Sequence, residues 1–161
     1  MKSKLCIACV DAAKARIFAM DSATRTTGDE VTRLVEFKDL GQAGRRRRNS
    51  EKLADSRPGL SQDAGMPGSG HAVDDRRDAK TDEGDRDFAV HVTSELKAAV
   101  AELEARELVI AASPRMLGWL RQCGLSSVAD SVREIDKNLS TLSASDLRDK
   151  LVADGAMPAT V

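Results

Sequence analysis

The sequence predicts an α/β fold: one domain built on a mixed sheet of about five strands, with helices packed on the sheet and a long flexible loop inserted. Three observations predict it. Leu5-Cys6-Ile7-Ala8-Cys9-Val10 is apolar on both faces of a strand, as in a central strand covered on both sides. Phe88, Val92, Leu96, Ala99, Val100 and Leu103 recur at helical spacing. Residues 41–86 hold 10 basic and 9 acidic side chains, no aromatic, and only Leu53, Leu60 and Val73 from the Leu/Ile/Val/Phe set. Such a stretch cannot bury enough apolar area to offset its ordering entropy. Outside it, the same four residue types fill 31 of 115 positions, an ordinary density for a small core. The domain is therefore expected to span 1–161, with 41–86 as a flexible polar loop inside it.

The elements follow in order. After the first strand, a polar break at Asp11 and Lys14 leads into Arg16–Met20, and the turn-rich Asp21–Asp29 leads into Val31–Phe37, where Val31, Val35 and Phe37 share a face. Three strands with short links make an antiparallel meander. The long helix comes next. Leu108–Ala112 is a second buried strand, expected to run parallel to its neighbour because it follows a crossover helix. Ser113 and Pro114 open a short helix as N-cap and first helical residue, and Gly124, just beyond Gln122, stops it. Val128–Ile135 is a weaker strand. Ser143-x-x-Asp146 has the form of a capping box for a last helix, with Leu147 and Leu151 inward and Gly155 at its end.

The 25 basic and 26 acidic residues leave a net charge of -1, which argues against attraction of the whole protein to nucleic acid or an anionic membrane. No stretch approaches the ~20 apolar residues of a membrane span. The N-terminal apolar run is shorter than a signal-peptide core and no Ala-x-Ala site follows it, so the expected compartment is the cytoplasm, with no membrane partner.

Little here points to catalysis. Cys6 and Cys9 have metal-ligand spacing, but inside a strand positions i and i+3 face opposite ways, so neither a metal site nor a disulfide is expected. Cys123 is remote, and His71 and His91 are isolated. The loop glycines do not follow the phosphate-loop pattern. No catalytic residue, metal or cofactor is expected. Binding chemistry is more visible. Arg45, Arg46, Arg47 and Arg48 form an unbroken run, reinforced by Lys52 and Arg57. Guanidinium groups fork onto phosphates and release counterions, so the run has two readings: contact with a polyanion backbone, or a solvated basic loop screened in cis by the acidic excess of Asp74–Asp87. Arg115 and Arg121 on the short helix, and Lys137 near the last strand, are further candidates for phosphate or partner contact. Trp119, with Met116 and Cys123 at helical spacing, reads as core. With no tyrosine and four aromatics in core elements, base-stacking surfaces of the RRM or OB type are not expected.

Several segments together resemble a known family. Asp11 with Ala15-Arg16-Ile17, the stretch Asp55-Ser56-Arg57-Pro58-Gly59, the segment Ala112–Arg121 and the run Asp136-Lys137-Asn138-Leu139 are similar to the bacterial host attachment proteins, along nearly the whole chain. The family often reads Lys-Asp-Leu where this chain has Lys137-Asn138-Leu139. It is in turn similar to the middle domain of archaeal and eukaryotic peptide-chain release factors. The resemblance implies an α/β fold and contact with the ribosome. Release factors use a Gly-Gly-Gln loop, and this chain offers Gly41-Gln42. The leading expectation is thus a non-enzymatic binding domain whose arginine loop contacts RNA, the ribosome or a protein partner. The alternatives are a release-factor-like hydrolase of peptidyl-tRNA with Gln42 positioning water, and a structural adaptor with a disordered spacer.

Overall fold

The computed structural model describes residues 3–24, 30–41 and 71–159. Strand β1 (Leu5–Val10) lies at the middle of the sheet, and none of its residues is more than 4% exposed. Its position follows from its composition, since only a strand apolar on both faces loses nothing by being covered twice. Strand β2 (Lys14–Thr24) pairs antiparallel with β1, and β3 (Glu30–Gly41) antiparallel with β2. Both extend beyond their apolar stretches, because ladder hydrogen bonds between neighbouring strands do not require burial. The register steps between Ile17, opposite Lys38, and Phe18, opposite Glu36. This bulge gives β3 one extra residue, Phe37.

Helix α1 (His71–Leu103) begins well inside the stretch expected as loop. That expectation rested on missing apolar residues, which report burial. The Ala, Asp, Arg, Lys and Glu of 71–86 accept a helical backbone without it. Phe88, Val92, Leu96, Ala99, Val100 and Leu103 are all buried, as their spacing requires. A tight turn through Glu104, at φ +53, leads into β4 (Glu107–Ala112), which is parallel to β1. Helix α2 (Pro114–Gln122) is capped by Ser113, and Gly124 ends it in the left-handed region at φ +86. A single 3₁₀ turn, Leu125–Ser127, then takes up Val128 as its cap, so β5 (Ser131–Asp136) starts later than the expected Val128. It pairs parallel with β4. In helix α3 (Ala144–Ala153) the Ser143 hydroxyl accepts from the Asp146 N–H at 3.1 Å, while Leu147 and Leu151 are fully buried.

The sheet order is β3-β2-β1-β4-β5. Helices α1 and α2 pack on one face, over Cys6, Ala8, Val10, Ile17 and Ile110, while α3 covers the other, over Ile7, Cys9, Phe18 and Val109. Cys6 and Cys9 therefore lie on opposite faces. Burial pushes both thiols up to about 12, with the Arg16 charge pulling slightly the other way at Cys9. Among the described residues, no helix is long and apolar enough to cross a membrane.

Candidate functional site

Three parallel strands, β1, β4 and β5, end at one edge of the sheet. From that edge the chain leaves β4 for α2 on one face and leaves β5 for α3 on the other. Open α/β sheets form their ligand crevice where connections diverge in this way. Because β2 and β3 complete a meander, Lys14 and Gly41 pair at the same edge, and the chain departs from Gly41 toward the arginine run.

The edge is held together by polar contacts. The Asp11 carboxylate accepts backbone N–H bonds from Ala13 at 2.6 Å and Lys14 at 2.8 Å, closing the turn between β1 and β2. Its second oxygen accepts from the fully buried Ser140 hydroxyl at 2.5 Å. Asn138 in turn accepts from the Ser140 N–H at 3.1 Å. On the neighbouring strand, the Arg16 guanidinium donates to both Glu36 oxygens, at 3.2 and 2.6 Å, and to the carbonyls of Leu142 and Ser140, at 2.7 and 3.3 Å. It also sits 4.8 Å from the centre of the Phe18 ring. The hydrogen bond from Arg16 holds the Glu36 carboxyl below its ordinary value. Asp11 and Arg16 thus brace the β1–β2 turn and β2 against the distant segment after β5, where Asn138 shapes the backbone at Ser140. Every one of these polar groups is engaged within the protein, which marks them as scaffold for the edge.

The three sequence candidates that fall among the described residues are not gathered into one patch. Arg115, at the start of α2, pairs with Asp82 of α1 and lies 3.6 Å from the buried Asp85 carboxylate. Arg121, at the other end of α2, pairs with Glu134 on β5, which raises its guanidinium above the ordinary value. Lys137 pairs with Asp154 at the end of α3 at 2.9 Å and holds that carboxyl below its ordinary value. Each pair is exposed, so solvent screening keeps it weak and exchangeable. Arg45, Arg46, Arg47, Arg48, Lys52 and Arg57 lie outside the described residues, as does Gln42 of the hydrolase alternative.

Sequence reasoning missed a pocket between α1 and α2. It is an open cleft of about 480 Å³, lined by Asp82 from α1 and Arg115, Gly118, Trp119 and Gln122 from α2. Trp119 packs partly against the core, as its spacing implied, and also borders this pocket. The available signal was a glycine inside a helix next to the sole tryptophan.

A family model described as "Protein required for attachment to host cells" matches residues 6–151. No curated protein matches the chain.

Proposed function

The chain belongs to the family of proteins required for attachment to host cells, and from that premise we propose that it is a non-enzymatic binding domain that holds the phosphate backbone of RNA, including ribosomal RNA, at the carboxyl edge of its parallel strands. Arg45 to Arg48 supply the grip, with Lys52 and Arg57 behind them. The observation that carries this reading is where β3 ends. Gly41 lies at the carboxyl edge, paired with Lys14. Even a fully extended chain keeps Arg45, four residues on, within about 14 Å of it. The arginine run therefore begins near the edge of the sheet where open α/β folds bind ligands. Arg115, Arg121 and Lys137 border the same sheet in exposed pairs that a phosphate can displace.

The test is fluorescence anisotropy of a labelled structured RNA, at about 50 and about 200 mM salt, with the full chain and with Arg45 to Arg48 changed to serine. Binding by the parent should weaken as salt rises. The variant should bind more weakly, and its salt slope should fall by up to roughly one unit per lost contact. Different RNA sequences should be affected about equally, since backbone contacts carry no base information. No binding by the parent at low salt, or equal binding by the variant, overturns the reading.

A further inference from the structure

Helix α2 carries a glycine that its own packing does not require. Gly118 lies in the interior of the helix, outside the left-handed region, and a Cβ built on it would meet nothing within 4 Å. Alanine there would favour the helix and cost no contact. A helix-interior glycine facing open space is understandable where another molecule must approach the backbone closely. The space over Gly118 is the pocket of about 480 Å³, within the range of roughly 300–1,000 Å³ typical of small-molecule sites.

We propose that this pocket takes a single unpaired guanine nucleotide of an RNA strand, with the base lying over Gly118 against the Trp119 indole. The inference rests on the RNA reading above and deepens it. A flat base suits a gap floored by bare helix backbone and bordered by an aromatic ring. Asp82, half exposed at the rim, offers only acceptors. Guanine alone among the four bases presents two adjacent donors, N1–H and the N2 amino group, on one edge, and these match the two oxygens of a carboxylate. Arg115, given up by Asp82, remains beside the Asp85 carboxylate, which is 3% exposed, and is placed to donate to the nucleotide phosphate. Gln122 can donate to or accept from the remaining base edge. A peptide guanidinium, the other planar donor of similar shape, would meet like charge from Arg115.

Trp119 is the only tryptophan, so its fluorescence reports the pocket directly. GMP, AMP, CMP, UMP and ribose 5-phosphate are titrated into the full chain. GMP should quench saturably, the other nucleotides at least about tenfold more weakly, and ribose 5-phosphate not at all. Gly118→Leu fills the open space from the helix side and should abolish quenching, with circular dichroism confirming an unchanged fold. Asp82→Asn, which replaces an acceptor with a donor, should erase the preference for GMP. Equal quenching by all four nucleotides overturns the role of Asp82, and no quenching by any of them overturns the pocket. RNA binding without GMP quenching defeats this inference and leaves the arginine reading standing. GMP quenching with no RNA binding defeats the arginine reading and leaves the pocket standing. The variant with serine at positions 45 to 48 should quench with GMP as the parent does.

Discussion

Asp11 and Ser140, 129 positions apart, share a 2.5 Å hydrogen bond that ties the β1–β2 turn to the segment following β5. The serine is fully buried, and Asp11 spends its other oxygen on the turn backbone. Ser140→Ala removes the only donor described for that second oxygen. A loss of about 1–3 kcal/mol is expected, read by urea unfolding with an unchanged slope. A change within about 0.5 kcal/mol, the size of an ordinary surface substitution, would show that the bond braces nothing.

Arg16→Lys should be far from conservative. An ammonium cannot reproduce a planar fork that reaches Glu36 and two backbone carbonyls at once, and about 1–3 kcal/mol of stability should go with it. Because Arg16 lowers the Glu36 carboxyl, the stability from this pair is complete above the ordinary carboxylate value. It is lost as pH falls through the lowered one. Glu36→Gln should remove that acid-side component from the pH profile of unfolding, and an identical profile would refute the coupling.

Thiol chemistry should divide the cysteines. With Cys6 and Cys9 pushed from 9.0 to about 12 and buried, only the half-buried Cys123 should react with a disulfide reagent near neutral pH in the native protein. All three should react after denaturation. The sign of the alkaline response follows. Above 9.0 the unfolded chain gives up protons that the folded one keeps, so stability should decline between about 9 and about 12. Rapid native labelling of Cys6 or Cys9 would contradict the burial of β1.

Excision of 42–70 should leave the fold intact. Among the described residues, the two core clusters draw on residues 5–34 and 88–157, with Phe37 and Leu40 packed against one of them. A Gly/Ser linker of about a dozen residues has a typical span of roughly 20 Å. The shortened protein should keep a cooperative thermal transition, and a broad, non-cooperative melt would place part of the core within the removed stretch.

Much of this architecture could be read from residue pattern alone, where a pattern reports burial. β1 and α2 match their expected bounds, since one is apolar on both faces and the other carries a serine cap, a proline and a stopping glycine. The failures share a cause. The first turns of α1 carry no apolar stripe that would signal a helix, and Val128 is buried as the cap of a 3₁₀ turn, so its hydrophobicity misreads as strand. At the site, the partners of Arg115, Arg121 and Lys137 were not legible. Asp82 is 33 positions from Arg115, and only the packing of α1 beside α2 brings them together. Gly118 was visible as a residue, but the vacancy above it exists only in three dimensions.

Leu5 sits opposite Glu107 in the middle of the sheet, so the first strand synthesised waits for almost the last one before its second edge is paired. During translation, residues 5–10 can hydrogen-bond only to β2, and their open edge stays available to other chains until the ribosome has passed Ala112. Folding speed should accordingly be governed by this one late closure between distant segments. A nascent chain halted before β4 should be sticky and protease-sensitive, whereas one that has emerged through β4 and α3 should not.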